Sequence, residues 1–111
     1  MASVLQERAR AAAIHQIERM GWEVIEGDWE SFIVATDVNG WLVFTYPKAK
    51  RGAMPGDIKN LRGKFEQAAA NYLAEYNPGA VPMRCDVFKM NVVADDRAML
   101  RHEVNVLRFK L

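Results

Sequence analysis

The sequence predicts one small α/β domain in which two helices flank a mixed β-sheet. Two segments repeat apolar residues at the three- and four-residue steps of an amphipathic helix, and five others have the β-branched and aromatic content of strands. The 111 residues are half apolar and about a quarter charged, which suits one hydrophobic core. The predicted order along the chain is α-β-β-β-α-β-β.

The first helix is expected from Ser3 to Met20. Its apolar stripe consists of Ala9, Ala13, Ile17 and Met20. Ser3 is expected to cap the N-terminus, with the side chain of Gln6 reaching back to complete a capping box. Gly21 stands where a left-handed residue usually ends a helix.

Three strands with two-residue periodicity are expected next. They are residues 22–26, 31–36 and 41–46, separated by turns at Gly27-Asp28 and at residues 37–40. Pro47 cannot donate a hydrogen bond to a sheet, so we expect it to close the third strand.

The second half of the chain predicts a loop, a helix and two strands. The segment 48–56 has two glycines, a proline and three basic residues, which is typical of an exposed loop. Asp57 is expected to cap the second helix. Its apolar stripe consists of Ile58, Leu61, Phe65, Ala68, Tyr72 and Tyr76. The last strands are expected at 83–93 and 102–109, with a turn at 95–97, and a right-handed crossover should lay the fourth strand parallel to one of the earlier strands.

Basic charge is concentrated in residues 48–64, although the net charge of the chain is only +1. This segment contains six basic residues and one acid, Asp57. The six are Lys48, Lys50, Arg51, Lys59, Arg62 and Lys64. A basic segment this short is usually a solvated loop and helix face, and contact with an anion, DNA or RNA is the alternative.

Other features argue against several classes of function. No apolar stretch is long enough to span a bilayer, and the first residues do not have the apolar region of a signal peptide, so a cytoplasmic location and no membrane contact are expected. Cys85 is the single cysteine and is expected in the core. His15 and His102 lie far apart with no ligand spacing around them, so neither a metal nor another cofactor is expected.

Four ordered segments carry a resemblance to a known family. They are Met20-Gly-Trp-Glu-Val-Ile25, the hairpin Trp29-Glu-Ser-Phe-Ile-Val-Ala35 with Leu42-Val-Phe-Thr-Tyr-Pro-Lys48, the basic helix at 59–73, and Met83-Arg-Cys-Asp-Val87. They resemble the YraN-like family of small bacterial proteins, members of the PD-(D/E)xK superfamily. The resemblance implies a restriction-endonuclease-like core.

The same resemblance implies that the nuclease site is degenerate. Superfamily nucleases hold Mg²⁺ with carboxylates on the hairpin and often with a glutamate on the first helix. The corresponding hairpin positions here are Phe32 and Tyr46, and Lys48 matches the lysine of the motif. The helix position falls near Arg10, or at Glu7 if the register shifts by one turn. Because Mg²⁺ requires oxygen ligands, aromatic side chains cannot hold it. Phe32 and Tyr46 are expected to touch across neighbouring strands, and the chain is expected to be a non-catalytic, nuclease-like domain that binds nucleic acid or a protein partner.

Two alternatives remain open from the sequence. A divergent metal-dependent nuclease could use relocated carboxylates, with Glu7, Glu30 and Asp37 acting beside Lys48. A structural protein could instead form a homodimer through a sheet edge or exposed aromatic residues and touch no nucleic acid.

Overall fold

Two helices pack on opposite faces of one five-stranded sheet. The structure is a computed structural model that describes residues 3–76 and 79–107. Its elements are α1 (Val4–Arg19), β1 (Glu23–Trp29), β2 (Phe32–Thr36), β3 (Leu42–Arg51), α2 (Leu61–Glu75), β4 (Met83–Ala94) and β5 (Arg97–Glu103). The predicted α/β class and the order of the elements are therefore confirmed.

The strands lie side by side in their chain order, β1-β2-β3-β4-β5. β3 and β4 are parallel, and the other three neighbouring pairs are antiparallel. A parallel pair requires a crossover, and α2 supplies it between β3 and β4. As a result β2 and β5 run opposite to the other three strands, which makes the sheet mixed as predicted.

Alternating side chains of β2 divide the core into two layers. Phe32 and Val34 belong to the apolar cluster under α2, whereas Ile33 and Ala35 belong to the cluster under α1. Each helix buries one stripe of its surface against its own cluster. The buried stripes are Ala9, Ala13 and Ile17 of α1, and Phe65, Ala68 and Tyr72 of α2. Neither helix of the described residues is long and apolar enough to cross a membrane.

The ends of α1 agree with the sequence except at Gln6. Ser3 accepts a hydrogen bond from the backbone N–H of Gln6 at 3.0 Å, and Gly21 has a left-handed φ of +81°. The capping box is wrong, because the side-chain Nε2 of Gln6 donates instead to the carbonyl of Pro47 at 2.9 Å. This bond anchors the first turn of α1 to β3.

The predicted end of the third strand at Pro47 is also wrong, because β3 continues to Arg51. The register of β3 with β2 ends at Thr45, but its register with β4 continues through Arg51. The N–H and C=O of one strand residue point to the same side, and the C=O of Pro47 faces Gln6. The missing N–H therefore lies on the flank where, among the described residues, no strand pairs with Pro47, so the proline removes no bond to β4.

The turn predicted at Gly27-Asp28 is wrong as well. β1 continues to Trp29, and the reversal occurs at Glu30 and Ser31, whose φ values of 52° and 71° suit a tight hairpin. The register of β1 with β2 shifts between Ile25 and Trp29, which marks a bulge. Gly27, inside this irregular stretch, has a φ of +147°.

Three further boundaries differ from the prediction. Asp57 does not cap α2, which begins at Leu61 after Asn60 in a left-handed conformation. Ile58 fits the apolar spacing of the helix but lies in the segment before it, where its side chain is buried. The predicted stripe therefore started too early. The last strand, expected at 102–109, instead spans Arg97–Glu103 and starts directly after the turn at residues 95 and 96. Part of the strand predicted at 102–109 falls outside the described residues.

Replacing Gly27 with alanine should strongly destabilise the fold. A Cβ at this position would lie 2.5 Å from the Trp29 ring, and φ of +147° is unfavourable for any other residue. We expect Gly27→Ala to lower the free energy of unfolding by about 2–4 kcal/mol in urea titrations. Gly56→Ala is the matched control, since a Cβ there meets nothing within 4 Å, and it should change stability by at most about 1 kcal/mol. Equal losses in both variants would contradict the close approach of Trp29.

Candidate functional site

The two hairpin positions singled out in the sequence, Phe32 and Tyr46, are aromatic residues in contact. Phe32 starts β2 and Tyr46 lies on β3, with ring centroids 5.1 Å apart and ring planes at 69°. Phe32 is fully buried and also packs edge-on against Phe44 and Phe65. The predicted contact is confirmed, and an edge-to-face pair of this kind contributes about 0.5–1.5 kcal/mol beyond its buried area.

Tyr46 forms part of the wall of a surface cavity of about 510 Å³. The cavity is lined by Glu30, Ser31, Tyr46, Asn60, Gly63, Lys64 and Gln67. The ammonium of Lys64 lies 5.2 Å from the centroid of the Tyr46 ring, a cation–π distance. The Glu30 carboxylate accepts a hydrogen bond from Asn71 of α2 at 2.9 Å. The cavity therefore presents an ammonium group beside an aromatic wall.

The carboxylates considered for a relocated metal site are not brought together. Glu7 belongs to α1, and Glu30 contacts α2 on the opposite face of the sheet. Asp37 accepts hydrogen bonds from the N–H groups of its own turn and pairs with Arg84 at 2.8 Å. Within residues 3–76 and 79–107 no group of three or more His, Cys, Asp or Glu side chains is placed to hold a metal ion.

The six basic residues predicted to bind nucleic acid are distributed over β3, the following segment and the start of α2. Five of them are exposed and Lys64 is half-buried. Strand alternation puts Lys48 and Lys50 on the α2 face with Tyr46, and Arg51 on the α1 face. Arg10 is half-buried on α1, across the sheet from the Phe32 and Tyr46 rings.

Two further cations, missed from the sequence, line up with Lys48. Lys48 is the register partner of Lys89 on β4, and Lys89 is the register partner of Arg101 on β5. The three side chains therefore form a row across neighbouring strands, on the face that carries α2. We call Lys48, Lys89 and Arg101 the basic row. Three strands spaced by about 4.8 Å make this row about 10 Å wide between its outer Cα atoms.

Glu103 partly balances the basic row. Its carboxylate lies 3.1 Å from Lys89 Nζ and 3.9 Å from an Arg101 guanidinium nitrogen. The Lys89 side chain, in the middle of the row, is 7% exposed. Arg101 at one end is 60% exposed, and Lys48 at the other end is also exposed. Asp57 lines the same cavity as Lys89 and Glu103, so the exposed positive charge of the row lies at its two ends, on Lys48 and Arg101.

A buried charge cluster lies on the opposite face, at the start of β4. Asp86 is fully buried, and its carboxylate lies 2.9 Å from His102 Nε2 and 3.1 Å from Arg84 Nε. The backbone N–H of Asn105 donates to it at 2.8 Å. Arg84 also bonds Asp37 at 2.8 Å, so the cluster joins the turn before β3 to β4, β5 and the segment after β5.

The cluster acts as a structural clamp. Burial by itself would raise the pKa of Asp86, but the hydrogen bonds from His102, Asn105 and Arg84 outweigh it and lower that pKa below its usual value. Both carboxylate oxygens are engaged by these donors. The alternation of Arg84 and Asp86 was visible in the sequence, but only the fold brings His102 to them.

Comparisons with known proteins assign no family to the chain. No family model matches it, and no curated protein is significantly similar to it. Fold and site together define a mixed-sheet α/β protein with an aromatic pair at the hairpin and a basic row beside it.

Asp86→Asn should destabilise the protein and reduce its sensitivity to acid. Removing one partner of a buried ionic cluster costs about 3–5 kcal/mol, which denaturation at neutral pH would measure. Because the Asp86 pKa lies below 3.8 in the folded chain, the unfolded chain binds the proton first as pH falls. The contribution of Asp86 is therefore complete above pH 3.8 and is lost as pH falls through the folded pKa.

The Asn variant has no carboxyl to titrate, so it should lose less stability than the wild type on acidification. Asp96→Asn is the control, since Asp96 is exposed in the turn before β5. A wild-type acid profile in Asp86→Asn would show that this carboxyl is not linked to folding.

Proposed function

We propose that the chain is a non-catalytic, nuclease-like domain that binds nucleic acid through the basic row and the neighbouring lysines. The fold supports the nuclease-like part of the proposal, because a helix, a three-strand meander, a crossover helix and a parallel fourth strand follow the order implied by the YraN-like resemblance. The chemistry of the site supports the non-catalytic part, and its charge supports nucleic acid as the partner.

The basic row is the observation that carries the binding proposal. Like charges on directly opposed strand residues repel each other, and Glu103 relieves this only in part. A phosphodiester backbone would contact the exposed ends of the row, Lys48 and Arg101, and release its own counterions, whereas Lys89 is buried and paired with Glu103. Lys50, two residues beyond Lys48 on the same face, and Lys64, beside Tyr46, extend the positive surface in two directions.

The aromatic pair argues against hydrolysis. Phe32 fills the hairpin position with a ring that is fully buried, and Tyr46 offers a phenol in place of a carboxylate. Magnesium in nucleases requires hard oxygen ligands, and the bound ion both polarises the phosphate and generates the attacking hydroxide. Lys48 can stabilise negative charge but cannot position or ionise a water in this way.

Binding to duplex DNA should be weak and strongly dependent on salt. With three or four phosphate contacts, the slope of log K against log salt should be about −3. Each of Lys48→Ala and Arg101→Ala should weaken binding and move the slope toward zero by about 1. Fluorescence anisotropy with labelled duplex, single-stranded DNA and RNA measures the affinities and distinguishes the three partners.

Arg19→Ala is the matched control, because Arg19 is an exposed arginine in the last turn of α1, away from the basic row. It should leave both affinity and slope unchanged. Affinity that is independent of salt, or equal losses in Arg19→Ala and Arg101→Ala, would refute binding at the basic row.

The purified protein should not cleave DNA or RNA with Mg²⁺ or Mn²⁺, and Phe32→Asp should not create activity. One restored carboxylate leaves Tyr46 in the second hairpin position, and Arg10 lies across the sheet, so an ion would still lack its coordination shell. Gel assays on plasmid and RNA, with EDTA controls, test this. Metal-dependent cleavage that disappears in Glu30→Ala or Lys48→Ala would establish a relocated active site, whereas traces unaffected by both substitutions would indicate contamination.

A further inference from the structure

We propose that the chain forms a two-fold symmetric homodimer in which β5 pairs antiparallel with β5 of a second copy, centred on Leu100. This inference concerns the β5 edge of the sheet, which also carries Arg101 of the basic row, but it does not depend on nucleic-acid binding. It rests on the exposure of that edge and on the way its sequence complements itself when reversed.

β5 is an outer strand, so its far side pairs with no strand in the described part of the chain. An edge of this kind exposes unpaired N–H and C=O groups that can accept another strand. Its apolar side chains are also open, with Met99 59% and Leu100 50% exposed, and Val104 follows at 56%. Large apolar side chains on both faces of an exposed edge are typical of an interface.

The register centred on Leu100 matches charges without a conflict. In an antiparallel pair about this residue, Arg97 of each copy faces Glu103 of the other, and Leu100 faces its own copy. The two intermediate pairs are Ala98 with His102 and Met99 with Arg101. Opposed acid and base side chains and opposed apolar side chains both stabilise an antiparallel pair.

Neighbouring registers are worse for physical reasons. Moving the centre of the pair from Leu100 to Arg101 puts Arg101 opposite its own copy, and moving it to Met99 puts Arg101 opposite Arg97. Like charges in these opposed positions repel. A shift of two residues leaves part of β5 opposite chain that lies beyond the strand. The register about Leu100 is the one in which all seven residues of β5 find partners.

The opposite edge of the sheet does not offer the same surface. β1 has a register shift between Ile25 and Trp29, and a bulge of this kind twists an edge away from partners. Its exposed side chains include Glu23 and Glu26, and the sequence of β1 has no basic residue to face them in a symmetric pair. The inference therefore assigns the interface to β5.

Charge substitutions at Leu100 test the dimer by mass. Light scattering after size exclusion should give twice 12.6 kDa for the wild type. Leu100→Lys and Leu100→Glu should each give the monomer mass, because two like charges would meet at the axis. An equimolar mixture of the two variants should restore the dimer, since opposite charges then face each other. A monomeric wild type at the highest soluble concentration, or a mixture that stays monomeric, would overturn the proposal.

A cysteine at the axis tests the register. Opposed residues of an antiparallel pair have Cα separations within the range that a disulfide bridges. Leu100→Cys should oxidise to a covalent dimer, whereas Val93→Cys, an exposed position outside β5, should not. The native Cys85 does not compete, because it is fully buried and burial raises the pKa of its thiol to about 12. Equal cross-linking at both positions would overturn the register.

Circular dichroism should show the wild-type fold in every Leu100 variant, since this side chain is half exposed. Failure of the dimer is distinguishable from failure of nucleic-acid binding, because the mass is measured without nucleic acid and the substitutions leave Lys48 and Lys89 unchanged. Arg101 is retained in all of them as well.

Discussion

The parallel pairing of β3 with β4 is the constraint on which the rest of the structure depends. Ten register pairs run from Leu42 with Met83 to Arg51 with Val92, and the alternation of side chains then fixes what each face contains. Phe44 beside Cys85 forms the core under α2, whereas Lys48 beside Lys89 starts the basic row. A slip of one residue would exchange these faces and bury charge.

Apolar and ionic interactions stabilise different ends of this pairing. Under α2 the sheet relies on edge-to-face rings, of which Phe32 and Phe44 are fully buried, and each contributes about 1.5–3 kcal/mol by burial. On the other face the start of β4 carries Asp86, whose burial is tolerated because three donors compensate the lost hydration. The buried rings stabilise the sheet by removing apolar surface from water. The Asp86 cluster determines which turns and segments contact each other.

The sequence was sufficient for the element order, the two helix stripes and the contact of Phe32 with Tyr46, because these depend on local periodicity and hairpin geometry. The predicted end of the third strand at Pro47 was wrong. A proline cannot donate a hydrogen bond to a sheet, but here the missing N–H lies on the side of β3 facing away from β4, beyond the last register pair with β2. The sequence also missed Lys89 and Arg101, because the register between distant strands is set by tertiary packing that one sequence does not encode locally. Asp57 was misassigned for a related reason, since burial of Ile58 mimicked a helical position.

The bulge near Gly27 has a consequence for the size of any assembly. A chain with two open sheet edges can add copies at both and grow into a fibre, whereas a chain with one open edge is saturated after a single isologous contact. In the proposed β5 dimer the register shift of β1 would prevent further copies from adding at the other edge, and Gly27, with a φ of +147°, lies inside this irregular stretch. Straightening this stretch would therefore risk polymerisation as well as a loss of stability.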